Sequence, residues 1–263
     1  MMQSFTRWTL ALAVPFALAG SVAGLNELGA FPGFASAGVQ EVAPLGSAVS
    51  NPLSTLGVPP MAKAAVATAI AAAPDLHTQI KWVEVRNGKD MVMTPDATSR
   101  LLLVQAAAER ANLAEVGLNY QDVYGLINAE TSWLPRTGVG KTGTHSYGLA
   151  QFEPGTAKAL GLKDPNDPVE AVYAAAMHMK TAAQWSAEKL SALKLPPQVY
   201  AEKLREGVSI YYNLSWKGRR AWNGMNTDKL PTPTLRHIEN TRWGAQRAEF
   251  LAQQLGMGEN AAS

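Results

Sequence analysis

The chain contains no cysteine, so neither a disulfide nor a lipid-modified amino-terminal cysteine is available, and stability has to come from packing. Histidine is scarce as well. The four, at 77, 145, 178 and 237, are far apart, none stands at a spacing such as HExxH, and no metal or other cofactor is expected. Nor is either sign of charge in excess: 23 Lys and Arg face 21 Asp and Glu, a formal net charge of +2 with no basic tract of the kind that nucleic-acid binding needs. With 263 residues, 47% of them hydrophobic and 17% charged, the composition suits one domain with a real core and leaves little room for two.

The opening MMQSFTRWTLALAVPFALAGSVAG joins a positive Arg7 to an apolar stretch, Trp8 to Leu18, that is short for a bilayer span. Small residues follow in the patterns Ala17-Leu18-Ala19 and Ser21-Val22-Ala23. Residues 1–23 therefore read as a signal peptide, which predicts a periplasmic or secreted protein with no membrane span after cleavage. Residues 24–74 are rich in Ala, Gly, Pro and Ser, carry only Glu27, Glu41 and Lys63 as charges, and read as a linker ahead of a functional domain over 75–258.

In that domain two β-prone runs over 80–93 flank Asn87-Gly88, a dipeptide suited to a tight hairpin turn. Thr94-Pro95 then reads as a helix cap followed by a first-turn proline, with the helix continuing to Arg110. Further helices are expected over 120–132, 147–160, 168–193, 197–212 and 234–255, with Asp167-Pro168 repeating the cap-and-proline pattern. The fold class is mainly α, with a small β-hairpin on the amino-terminal side.

Val123, Leu126 and Ile127 form an apolar stripe, and Glu130 falls on the same face, seven positions after Val123. No Lys or Arg stands three or four residues away to pair with it. Apolar neighbours and the negative end of its own helix both favour the protonated form, the state that a general acid needs. Spacing alone leaves two other outcomes open: the carboxylate escapes to solvent at a frayed helix end, or Arg136 pairs with it.

Shortly after ETSWLP, at Glu130 to Pro135, comes SYGLAQFEPGTA, from Ser146. The first resembles the E-S-x-F-x-P block of the soluble lytic transglycosylase family and the second its G-L-M-Q-x-x-P-x-T-A block, in the same order and at similar spacing. The resemblance is good over 118–180. It implies a goose-lysozyme-like helical domain whose groove binds peptidoglycan glycan strands, with Glu130 as the single acid and base that makes a 1,6-anhydro-muramic acid end, assisted by the substrate's own acetamido group. Gly148 would let backbone approach the groove floor, and Gln151 could offer its amide to N-acetyl groups, with Ser146 a small hydroxyl near the acid and Tyr147 an aromatic wall.

Further on, IYYNLSWKG and LPTPTLRH resemble the family's Y-N-x-G and P-x-E-T-x-x-Y blocks less closely. Tyr212 and Asn213 match and imply substrate contact, whereas Ser215 stands at the glycine, Pro233 at the glutamate and His237 at the tyrosine. Trp216 and Trp222, near Lys217, Arg219 and Arg220, are the tryptophans best placed to meet sugar faces. Glu153 occupies a position that is apolar or neutral in the family, and as the residue before Pro154 it is expected to be exposed. Two rivals remain: a hydrolytic goose-type muramidase with Glu153 as second acid, and a non-catalytic peptidoglycan-binding module of an envelope machine. A secretion or conjugation apparatus is a further candidate partner.

Overall fold

The computed structural model describes residues 74–140 and 143–257. The signal peptide and nearly all of the linker expected over 1–74 lie outside the described residues. The described domain is mainly helical, with a small antiparallel hairpin ahead of the longer helices.

A short helix α1 (Pro74–Gln79) leads into β1 (Trp82–Asn87) and β2 (Asp90–Pro95), which pair from Trp82 with Pro95 to Asn87 with Asp90 around Gly88 at φ 64°. The pairing runs two residues further than the sequence suggested, which corrects the helix start. Thr94 and Pro95 stay in the strand, and Asp96 caps α2 (Ala97–Arg110) by accepting from the Ser99 backbone N–H at 2.7 Å. The Thr94 hydroxyl instead donates to the carbonyl of Trp133, tying the hairpin to the end of a later helix.

That helix is α3 (Tyr120–Thr131), opened by a capping box in which Asn119 and Asp122 each accept from the other's backbone. Asp122 also takes a bidentate grip from Arg205, at 2.7 and 3.2 Å. Burial pushes its carboxyl up, and the guanidinium and the Asn119 N–H pull it back.

A larger correction concerns 147–160, where only α4 (Pro154–Leu160) is helical. Residues 147–152 form a tight loop closed by a Tyr147 to Phe152 bridge, with Gly148 at φ 73° and Gln151 at φ 52°. Pro154 supplies no N–H, so a helix cannot be hydrogen-bonded through it from the amino-terminal side and begins there instead. A two-residue pair that the sequence reading lacked, β3 (Gly138–Val139) with β4 (His145–Ser146), precedes this loop.

The centre is α5 (Pro168–Leu190), capped by Asp167, where Val172, Ala174, Ala175, Ala176, Met179, Ala182 and Ala183 are all buried. Over 171–176 every successive residue is buried, so this stretch is surrounded on all sides, and the small alanines let α2, α3 and α6 (Pro197–Asn213) pack around it. Short α7 (Trp216–Ala221) and long α8 (Thr232–Gln254) complete the domain.

Helices α3 and α8 run antiparallel in backbone contact. A methyl group on Gly125 would stand 2.3 Å from the Thr241 carbonyl oxygen, and one on Gly244 would stand 2.7 Å from the Gly125 Cα. Asn128 spans the same seam, donating to the Asn240 carbonyl at 3.4 Å.

Inside the core, His178 meets Phe152, Tyr211 and Tyr212 edge-on. Burial drives its pKa from 6.5 down to about 3, with Arg219 adding to the push. The ring is thus neutral when folded and charged when unfolded below pH 6.5. Its contribution is complete above that pH and is lost as pH falls towards about 3, with a slope of about 1.4 kcal/mol per pH unit. In His178→Phe, urea midpoints followed from pH 7 to pH 4 should therefore fall less steeply than in the wild type.

Candidate active site

Glu130 lies in the last turn of α3, where helix carbonyls lose their partners. Its own carbonyl is taken by Arg136 Nη2 at 2.7 Å, so the arginine that spacing offered as a partner for the carboxylate binds the backbone instead. The chain then passes through two consecutive left-handed residues, Ser132 at φ 53° and Trp133 at φ 66°. Such backbone costs about 1 kcal/mol or more per non-glycine residue and persists only where packing holds it. Here Trp133 supplies the packing: it is fully buried, 4.9 Å from the Tyr124 ring centre and under the guanidinium of Arg100.

The Glu130 side chain is 20% exposed, and its Oε1 sits 3.0 Å from Nε2 of His237. His237 comes from the second turn of α8 and is itself only 7% exposed. The close seam between α3 and α8 delivers this pairing, since Gly125, Asn128 and Glu130 meet Gly244, Asn240 and His237 in antiparallel order. The other ring nitrogen, Nδ1, is buried without a hydrogen-bonding partner among the described residues.

Beside the acid, the loop over 146–152 is fixed from within. Thr131 in α3 donates to the Leu149 carbonyl at 2.9 Å. The Ser146 hydroxyl donates to Gln151 Oε1 at 2.9 Å, and Gln151 Nε2 donates to the carbonyls of Arg136 and Gly148 at 2.8 and 2.9 Å. The Gln151 amide is thus spent on bracing, and it holds the same Arg136 whose side chain caps Glu130. Gly138 packs against this knot, where a methyl group would come within 2.5 Å of Gln151 Oε1. Gly148 is required on two counts: its φ is positive, and a methyl group there would meet the Pro165 carbonyl oxygen at 1.9 Å. Tyr147 is half-buried and stacks on His145 at 6.2 Å.

The carboxyl-terminal residues close the other side. Tyr212 lies near enough to Glu130 to feel its charge: burial first, then the carboxylate and Tyr211, hold its hydroxyl protonated well above the usual range. Asn213 accepts from Thr234 at 2.7 Å, linking the end of α6 to the start of α8, one turn before His237. Ser146, Gly148 and Gln151 therefore form one bonded group with Glu130 through Arg136, while Tyr212 of α6 lies near the Glu130 carboxyl and Asn213 is tied to Thr234 of α8.

The sequence reading missed the partnership of His237 with the acid. Its only trace there is the place of His237 in the LPTPTLRH block. Other expectations need correction: Trp222 is fully buried, stacks on Trp185 and donates to Thr227 at 3.1 Å, so it is a core residue. Arg219 is buried over the Tyr211 ring. Trp216 remains 43% exposed, with Arg220 stacked 4.4 Å from its centre. Glu153 is half-buried, its side chain makes no cap bond to α4, and burial raises its carboxyl.

A cleft of about 350 Å³ opens at the far end of the same helix pair, lined by Asp122, Arg205, Glu206, Ile238, Thr241 and Arg242 among others. Asp122 and Arg205 in its lining pair with each other, and Glu130 is not part of it. Among the described residues no group of three or more His, Asp or Glu could hold a metal ion, and no helix is long and apolar enough to cross a membrane. No protein-family model, curated protein or solved structure matches the chain.

Proposed function

We propose that this chain is an exported peptidoglycan lytic transglycosylase with a lysozyme-like helical domain, cleaving the β-1,4 bond between N-acetylmuramic acid and N-acetylglucosamine. The observation that carries the reading is the state of Glu130: a part-buried carboxyl with one oxygen held by a buried histidine and the other without a partner among the described residues, beside a loop knotted to its own helix. The resemblance of ETSWLP and SYGLAQFEPGTA to the family's two blocks supports the same assignment.

In this reaction the Glu130 carboxyl gives its proton to the glycosidic oxygen as the bond from C1 to that oxygen breaks, and N-acetylglucosamine leaves with a free hydroxyl. The muramic acetamido group stabilises the developing charge at C1, so a second carboxylate across the bond is not needed. The Glu130 carboxylate then takes the proton of the C6 hydroxyl as that oxygen bonds to C1, which closes the anhydro ring and restores the acid. Purified cell-wall sacculi incubated with the protein should release muropeptides about 18 Da lighter than their hydrolysed counterparts, read by mass spectrometry, because the ring closes without adding water. Release of reducing muramic ends alone would overturn the transglycosylase assignment.

One observation favours a hydrolytic variant of the reading, the half-buried Glu153 with its raised carboxyl. Glu153→Gln separates the two. Under transglycosylation the rate of muropeptide release changes little, whereas a hydrolase that uses Glu153 to orient water loses most of its turnover. Stability supplies an internal check: a carboxyl raised by burial disfavours the folded state once pH exceeds its usual range. Glu153→Gln should therefore be at least as stable as the wild type at pH 7, and any gain should shrink as pH falls towards 4.5 and be gone below it.

A further inference from the structure

We infer that His237 is a positioning residue that decides which oxygen of Glu130 carries the catalytic proton: its Nε2–H donates to Oε1, and the transferable hydrogen is confined to Oε2. This rests on the acid role proposed for Glu130.

Neutral imidazole carries one hydrogen, on either nitrogen, and here Nε2 faces a carboxyl oxygen at 3.0 Å while Nδ1 is buried with no partner among the described residues. A hydrogen on Nδ1 would be a sealed N–H with nothing to accept it, among the more costly defects in a protein interior, and an imidazolium would add a charge to that defect. A lone pair on Nδ1 is the milder arrangement. The ring is therefore neutral with its hydrogen on Nε2, pointing at Oε1.

That fixes the carboxyl. With an N–H aimed at Oε1, protonating the same edge would set two hydrogens against each other, so the acid form carries its hydrogen on Oε2. Among the described residues no other group competes for either oxygen. The Arg136 guanidinium is bound to the Glu130 carbonyl, the Tyr212 hydroxyl from α6 points to the Ala175 carbonyl at 3.5 Å, and on α8 Thr241 donates to the carbonyl of His237 itself. Oε2 meets no hydrogen-bonding partner among the described residues, and the side chain as a whole is 20% exposed, so a glycosidic oxygen would have to approach at the unpartnered oxygen.

The consequence for the reaction is that one oxygen both gives and takes. Oε2 releases its hydrogen to the leaving group and then collects the C6 hydroxyl hydrogen, while Nε2–H stays on Oε1 and steadies the carboxylate between the two transfers. In the opposite tautomer Oε1–H would donate to Nε2 and the catalytic hydrogen would be locked away from the groove.

Nuclear magnetic resonance of the full chain labelled with ¹⁵N-histidine tests this directly, with the His237 signals assigned by their loss in His237→Gln. The expected signature at pH 8 is a protonated Nε2 and an unprotonated, pyridine-like Nδ1. A proton on Nδ1 at that pH overturns the proposal. In the kinetic arm, His237→Phe should lower kcat for muropeptide release by roughly ten- to hundredfold, the effect of losing a hydrogen bond to a charged group. KM should move little, and His237→Gln, which restores an N–H donor, should recover part of the rate. An unchanged kcat in His237→Phe would likewise overturn it. Failure of the wild type to make anhydro ends counts against the enzyme assignment alone, because the ring signature decides the proton placement without reference to activity.

Discussion

Glu130→Gln should abolish practical cleavage of cell-wall glycan, lowering the rate by at least about a hundred- to ten-thousandfold, the usual contribution of a positioned acid and base. The substitution is close to isosteric, and its amide oxygen can still accept from His237 Nε2 at the place of Oε1, 3.0 Å away in the wild type. The α3 and α8 seam and the Arg136 bond to the backbone carbonyl are untouched, so thermal denaturation and circular dichroism should match the wild type. What disappears is the transferable hydrogen. In the proposed chemistry the same group acts twice, so both halves of the reaction fail together and no intermediate accumulates. Glu130→Asp is the graded companion: the acid remains, but the side chain is one methylene shorter and cannot keep Oε1 on His237 while reaching the bridging oxygen. It should fall between the wild type and Glu130→Gln in muropeptide release. A Gln variant that dissolves sacculi at a rate near the wild type would mean that some other group transfers the proton.

Much of this site was legible because its parts are local. The Val123, Leu126 and Ile127 stripe and the position of Glu130 depend only on helical periodicity, and α3 ends within a residue of where that pattern places it. Asp167-Pro168 likewise carries its structural meaning within a few residues and acts as a cap, while the hairpin turn falls one residue later than Asn87-Gly88, at Gly88 and Lys89 between the paired Asn87 and Asp90. The failures are equally physical. Over 147–160 the residues suit a helix, but a loop there lets Thr131, Arg136 and Gly138 converge on Leu149 and Gln151, contacts that span up to eighteen residues and leave no local pattern. Thr94 has the residue type of a cap, yet the carbonyl of Trp133 and the pairing of Pro95 with Trp82 claim it for the hairpin. His237 was hardest to see, because it stands 107 positions from Glu130 and is brought to it only by the crossing of two helices.

That crossing is the feature on which the pairing of Glu130 with His237, and with it the proposed chemistry, turns, and Gly125→Ala should break it. In an ordinary helix interior the change would be favourable by about 1 kcal/mol, since alanine is the better helix former. Here the added methyl group would stand 2.3 Å from the Thr241 carbonyl oxygen and 3.1 Å from the Ala245 nitrogen, both backbone atoms of α8. Neither can rotate aside, so the helices must separate by roughly 1 Å, and overpacking of this kind destabilises by about 1–3 kcal/mol or more. The clash wins over propensity, and a net loss of about 2 kcal/mol corresponds to a fall in Tm of roughly 4–8 °C for a domain of this size. Gly244→Ala should do the same from the other side, against the Gly125 Cα and the Asn128 Cβ at 2.7 Å. Gly155→Ala is the control with the opposite sign, because that glycine lies in α4, is exposed and has nothing within 4 Å of the added atom. The activity effect should exceed the stability effect. Well below Tm the Gly125 variant stays folded, yet Glu130 and His237 sit on the two helices being pushed apart, so kcat should fall by about tenfold or more once their hydrogen bond is stretched. If Gly125→Ala instead raised Tm as Gly155→Ala should, the two backbones would not be in contact and the delivery of His237 to the acid would need another explanation.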